Sequence, residues 1–184
     1  MNVLFLGLPG SGKGTQAQLI AGKLGLVHLS TGQVFRDNIA EKTELGKIVE
    51  ERLNLGILVD DELTNKIVDS FLDKNSAAKG FVFDGYPRNV VQAKFLEKLL
   101  AKKKQELDFI VLIGVGEDEA FSRLVSRAKT SGRTDDTEEK IRYRLQTQSP
   151  KELSDYYLDK KMLSTIDGEG TVDEITRRIL AVLG

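Results

Sequence analysis

The chain has 184 residues, 40% of them hydrophobic, with 27 basic residues against 28 acidic, one histidine and no cysteine. That length buries one substantial core, and the balanced charge gives no electrostatic case for nucleic acid or an anionic membrane. Absent thiols exclude disulfides and cysteine-bound zinc.

The run Val3-Leu4-Phe5-Leu6 predicts a first strand, and Gln16 to Leu24 a helix whose stripe is Ala17, Ile20, Ala21 and Leu24. Between them stands Gly7-Leu8-Pro9-Gly10-Ser11-Gly12-Lys13-Gly14-Thr15, which meets the spacing G-x-x-x-x-G-K from Gly7 to Lys13. Glycines let the backbone curl until several N–H groups point at one anion, the following helix adds its positive end, and Lys13 adds a full charge. One position departs from the general pattern. Gly14 stands where Ser or Thr would hold magnesium, and the hydroxyl comes one residue later at Thr15. Because the chain runs straight into this strand and loop and has no apolar run of membrane-crossing length, it reads as a soluble, cytoplasmic protein with no leader.

Leu26 to Leu29 predicts a second strand; His28, inside it, reads as packing rather than catalysis. Ser30 to Gly80 then runs for about fifty residues, too long for a plain crossover, and its apolar positions Ile48, Val49, Leu53, Leu58, Leu63, Ile67, Val68 and Phe71 predict a small helical subdomain. Phe81 to Phe83 is the third strand, followed by Asp84-Gly85-Tyr86-Pro87-Arg88. Lys102-Lys103-Lys104 ends a helix as a solvated face, and Phe109 to Val115 is the fourth strand. Ala128 to Asp136 is short, polar and flanked by arginines, which predicts a mobile flap. Met162 to Ile166 is the fifth strand, and Val172, Ile175, Ile179 and Val182 stripe a final helix. Strands alternating with helices imply an α/β fold: a five-stranded parallel sheet covered on both faces.

In such a sheet, ligands sit beyond the carboxyl ends of the strands. There Asp84 suits a carboxylate that orients magnesium or its waters beside bound phosphates. Arg36, Arg88, Arg123, Arg127, Arg133 and Arg144 all fall in segments that can border one cleft, and their planar forks match phosphate oxygens. Arg123 and Arg127, four apart on a helix, share a face. Arg142 and Arg144 do not, so only one of them faces the site.

These motifs, with Ser30-Thr31-Gly32, Leu58-Val59 with Asp61, Gln92, and Thr130-Ser131-Gly132-Arg133 with Asp135-Asp136, make the chain resemble the adenylate kinases over nearly its whole length. The resemblance implies a P-loop NTPase-like fold with core segments 1–29, 81–127 and 137–184. It adds a helical nucleoside-monophosphate-binding subdomain at 30–60, its helical passage continuing to 80, and a short lid at 128–136. The implied reaction is reversible transfer of the terminal phosphoryl group from MgATP to AMP, giving two ADP. ATP contacts are carried over to Gly10, Ser11, Gly12, Lys13, Gly14, Thr15, Arg123, Arg127 and Gly170. AMP contacts are carried over to Thr31, Arg36, Leu58, Val59, Gly85, Arg88, Gln92, Arg133 and Arg144. Thr15 and Asp84 serve magnesium through water, and Lys13 with Arg88, Arg123, Arg127, Arg133 and Arg144 serves catalysis. Gln92 and Thr31 are the residues of the adenine-accepting relatives. The lid resembles the short type without zinc, and the enzyme is expected to be a monomer.

Some positions depart from the family pattern. Gln33 stands where an acid is usual, leaving Asp84 to carry more of the charge around magnesium; Ala128 replaces a frequent Gly, and Ser149-Pro150-Lys151-Glu152 lacks an apolar pair after proline. Three rival readings can be set beside this one. A kinase preferring UMP or CMP would share most of these motifs. A GTP-binding switch or regulatory ATPase would share the loop, but guanine reading needs Asn-Lys-x-Asp, and the only Asn-Lys pair, Asn65-Lys66, continues Ile67-Val68. A catalytically idle module predicts a damaged loop or missing arginines, and neither defect is visible. Gly32, Gly56, Gly80 and Gly132 are candidate hinges.

Overall fold

The computed structural model describes residues 1–55, 57–131 and 136–184. Five strands, β1 (Val3–Leu6), β2 (Val27–Ser30), β3 (Phe81–Asp84), β4 (Phe109–Gly114) and β5 (Leu163–Asp167), form one sheet in the order β2-β3-β1-β4-β5. Every pairing is parallel; β1 lies at the centre, with Val3 opposite Val82 on one side and Phe109 on the other. The strand boundaries fall within a residue or so of the expected ones.

The three inner strands β1, β3 and β4 are apolar at almost every position because both of their faces are covered. Period-two alternation sorts them. Val3, Phe5, Val82, Val111 and Ile113 turn to one face, against Ala17, Ile20 and Ala21 of α1 (Lys13–Leu24) and Ile175 and Ile179 of α9 (Val172–Leu183). Leu4, Leu6, Phe81, Phe83 and Ile110 turn to the other, against Val68 and Leu72 of α4 (Asp61–Lys74), Leu96 and Leu100 of α5 (Val90–Lys102) and Tyr157 of α8 (Lys151–Asp159). The stripes read from the sequence for α1 and α9 therefore face the core, with Leu24 and Val182 partly buried, except Val172, which is exposed at the helix start.

The passage between β2 and β3 folds as helices: α2 (Thr31–Ala40), α3 (Glu44–Asn54) and α4. Phe35, Val49 and Val59 make a small core of their own with Ile39, Leu45, Leu53, Leu63 and Ile67. α4 thus serves two cores, its first turns in the subdomain and its later ones under the sheet. Ile48 points to solvent, 59% exposed, although the spacing placed it with the apolar set. On the far side, α6 (Glu117–Ser131) and α7 (Glu138–Thr147) pack through Ala120, Leu124, Ile141 and Leu145. Since α6 extends to Ser131, the first part of the expected flap, Ala128 to Ser131, is helical; its residues 132–135, with Arg133 and Gly132, and Gly56 lie outside the described residues. Of the other hinge candidates, Gly32 lies within α2. Gly80 is a close-approach position instead, because a Cβ there would stand 1.8 Å from the Met1 carbonyl oxygen.

Candidate active site

From the end of β1 the chain curls through Gly7–Gly12 into α1. Gly10 and Gly12 have φ of +87° and +90°, and a Cβ on Gly10 would stand 2.4 Å from the Ala120 carbonyl oxygen, so the loop lies directly on α6 and only glycine fits. Lys13, the first residue of α1, donates from Nζ to the Leu8 carbonyl at 3.1 Å. Burial lowers its pKa from 10.5 to about 8; Asp84 opposes that fall, and Arg88, Arg144 and Arg127 add to it. This concentration of cations is suited to a polyanion.

Asp84 ends β3 beside the loop. Its Oδ2 accepts from Ser30 Oγ at 3.2 Å, and a Cβ on Gly14 would come within 3.2 Å of the same oxygen. This proximity accounts for glycine at position 14: a side chain there would crowd the carboxylate. Thr15 is exposed on the wall of the same cleft. Asp84, Thr15 and Ser30 supply oxygen donors alone, which fits a hard cation that retains much of its water and binds with a phosphate ligand. His28 was expected to pack in an apolar strand. Instead its Nε2 is buried without a hydrogen-bond partner among the described residues, 3.9 Å from Asp84 Oδ2. Burial pulls its pKa below the usual 6.5 against the pull of Asp84, so the ring is neutral near pH 7.

The loop borders a cleft of about 900 Å³ whose wall includes Gly10, Gly12, Lys13, Gly14, Thr15, Asp84, Arg123, Arg127 and Gly170. Ser11 differs from the other residues assigned to ATP: its side chain is buried, its hydroxyl has no partner among the described residues, and its carbonyl is 3.4 Å from Arg123 Nη1. Arg123 also donates to the Gly168 carbonyl at 3.0 Å, which links the loop to the turn carrying Gly170. Arg127 holds Asp136 through two bonds of 2.8 and 2.7 Å, and Arg144 reaches the same carboxylate at 3.2 Å. The Asp136 side chain is fully buried between them. Arg142 turns away and lies 4.5 Å above the Phe121 ring, as its spacing from Arg144 required.

A second, smaller pocket adjoins the cleft. Its lining contains Thr31, Arg36, Leu58, Val59, Gly85, Arg88 and Gln92, the residues brought together by the sequence reading for the acceptor, with Arg144. The two spaces share Arg36, Arg88 and Arg144 as a common wall. Thr31 Oγ1 and Arg88 Nε both donate to the Gly85 carbonyl, at 3.0 and 2.7 Å. Arg36 Nη2 donates to Gln33 Oε1 at 3.0 Å, and Gln33 Nε2 donates to Asp37 at 2.6 Å, so Gln33 takes part in the cleft as a neutral bridge.

Four supporting residues of the site had no role assigned from the sequence. Asp136 was noted only as part of a motif, without its role as the counter-ion of two arginines. Gln148, which accepts from Arg88 Nη1 at 3.0 Å, gives no signal in the sequence because it stands sixty residues away at the end of α7. Asp61, likewise noted only as part of a motif, accepts from Gln92 Nε2, and Asn89 Oδ1 accepts the Gln92 backbone N–H.

The adenylate kinase family model matches residues 5–162. An adenylate kinase of Flavobacterium psychrophilum is 44% identical, the match covering 100% of this chain and 98% of that one. An adenylate kinase of Mycolicibacterium vanbaalenii is 47% identical, covering 100% and 99%, and one of Stenotrophomonas maltophilia is 44% identical with the same coverage. A phosphate loop at the centre of a five-stranded parallel sheet, two adjoining pockets and a sequence match along the whole chain lead to one conclusion: the chain belongs to the adenylate kinase family.

Proposed function

We infer that the protein transfers the terminal phosphoryl group of MgATP to AMP, reversibly, giving two ADP. The observation that carries this reading is the pair of adjoining spaces sharing Arg36, Arg88 and Arg144. Two nucleotides lying end to end bring their phosphates together at that wall, and guanidinium forks neutralise the combined charge.

In this reading the loop N–H groups of Gly10 to Thr15 and the Lys13 ammonium hold the donor phosphates. Arg123 stacks on the donor adenine with Gly170 beside it, and Arg127 and Arg144 take phosphate oxygens in exchange for Asp136. Arg133, outside the described residues, is assigned the same task. Thr31, Leu58, Val59, Gly85 and Gln92 seat the acceptor base and sugar, while Arg36 and Arg88 hold its phosphate. Magnesium, when bound, would supply positive charge against the negative charge that develops on the donor phosphates. Thr15 and Asp84 are the residues that would hold it.

Phosphoryl transfer asks the protein mainly for alignment and charge neutralisation, so no general base is required, and neutral His28 is consistent with that. The subdomain at 30–60, with its own small core, closes over AMP, and the lid at 128–136 closes over the donor, excluding water that would hydrolyse it. No helix among the described residues is long and apolar enough to cross a membrane; a cytoplasmic monomer handling ATP, AMP and ADP is the corresponding proposal for the cell. The test is ADP formation from ATP with AMP, GMP, UMP and CMP in turn. AMP is expected to give the highest kcat/KM, and faster turnover of UMP or CMP would overturn the reading.

A further inference from the structure

Gln92 lies on the wall of the acceptor pocket, is almost wholly buried, and is gripped from two sides. Its Oε1 accepts the backbone N–H of Arg88 at 2.7 Å, and its Nε2 donates to Asp61 Oδ1 at 2.7 Å. Asp61 is the first residue of α4. Both of its carboxylate oxygens also accept from Asn89 Nδ2, at 3.0 and 3.2 Å, and Asn89 Oδ1 accepts the backbone N–H of Gln92 at 2.8 Å. A closed ring of hydrogen bonds thus joins the first turn of α4 to the first turn of α5.

The chemistry of the ring has a direction. A carboxylate only accepts and a backbone N–H only donates. Turning the Gln92 amide over would set its oxygen against Asp61 and its NH₂ against the Arg88 N–H, losing both bonds and creating two repulsive contacts. Its neighbours therefore define which end is nitrogen and which is oxygen. An amide carries two N–H donors and two acceptor lone pairs, and the ring uses one of each, leaving one donor and one acceptor for a ligand.

A 6-aminopurine presents a donor, its amino group, beside an acceptor ring nitrogen. A 6-oxopurine presents an acceptor beside a donor, the reverse order. One fixed amide pairs with only one of these in a given pose; a freely turning amide pairs with either. We propose that Asp61 is a positioning residue for base selection, which by locking the Gln92 amide makes the acceptor pocket discriminate between 6-amino and 6-oxo purine monophosphates. This rests on the reading that Gln92 faces the acceptor base.

The experiment compares kcat/KM for AMP with that for IMP in the wild type, Asp61→Asn, Gln92→Ala and Asp60→Ala. A ratio of two substrates on one preparation does not depend on how much of the variant is folded. Asn at 61 can present either an oxygen or an NH₂, so the Asp61 side of the lock is removed and only the Arg88 N–H still opposes a turned amide. Asp61→Asn is expected to lower the AMP to IMP ratio about tenfold or more, equivalent to about 1.4 kcal/mol. Asp60→Ala removes the α4 cap, in which Asp60 Oδ1 accepts from the Leu63 N–H at 2.9 Å, without touching the ring, and should leave the ratio unchanged. An unchanged ratio in Asp61→Asn alongside a collapsed one in Gln92→Ala overturns the positioning role and spares the reading of Gln92. An unchanged ratio in Gln92→Ala removes both. An equal fall in Asp60→Ala and Asp61→Asn assigns the effect to α4 packing and overturns the proposal.

Discussion

Lys13 is expected to make the ligand-free protein less stable while making it active. Its pKa in the folded chain is lowered from 10.5 to about 8, chiefly by burial. At about 1.4 kcal/mol per pH unit, this fall corresponds to about 3 kcal/mol that the charged amine costs the folded state at neutral pH. The sign follows from proton counting. Between pH 8 and 10.5 the unfolded chain keeps a proton that the folded chain has released, so stability rises with pH across that window, and the cost is present in full below pH 8. Lys13→Met removes the cost and loses the bond to the Leu8 carbonyl, worth about 1 kcal/mol. The net gain of about 2 kcal/mol corresponds to a melting midpoint raised by about 4–8 °C for a chain of this length, together with loss of most turnover. Calorimetry of both ligand-free proteins at pH 7 measures the first effect and a coupled ADP assay the second. In the wild type, kcat/KM for ATP should fall as pH rises through about 8, while the corresponding limb of kcat lies higher because bound phosphates favour the ammonium. A variant that melts at or below the wild-type midpoint, or a kcat/KM profile flat beyond pH 9, would refute the reasoning.

Asp136→Asn leaves two guanidiniums around a neutral amide. With Arg127 and Arg144 still 32% and 12% exposed, the loss should be about 2–3 kcal/mol, less than for a fully buried pair, read by urea unfolding and partly restored by ATP. Arg88→Ala should raise KM for AMP far more than KM for ATP; equal losses would contradict its place on the acceptor side. Gln148→Ala, which removes one hydrogen bond to Arg88, should raise KM for AMP about fivefold with kcat for saturating substrates nearly unchanged. Gly14→Ala brings a methyl to within 3.2 Å of Asp84 Oδ2 in a helical position that tolerates alanine. It should raise the magnesium concentration for half-maximal activity several-fold without lowering the melting midpoint.

The sequence by itself determined the features that depend on neighbours along the chain. Glycines at 10 and 12 permit a left-handed backbone wherever they stand, and the apolar runs on either side of polar turns mark strands buried on both faces. The separation of Arg142 from Arg144 likewise followed from helical spacing. Tertiary structure decided what depends on distant segments meeting. Ile48 fitted the apolar periodicity yet faces solvent, because the subdomain core is completed by Phe35 and Val59 from the adjoining segments. His28 sat in an apolar run, but the register of β2 against β3 sets Ser30 level with Asp84 and leaves the imidazole on the cleft wall. The pairings of Asp61 with Gln92 and of Arg88 with Gln148 join polar side chains 31 and 60 residues apart, and no periodicity records them. Periodicity reports how much of a side chain is covered; which donor meets which acceptor is fixed only when the helices pack, since a hydrogen bond needs atoms within about 3 Å and in line.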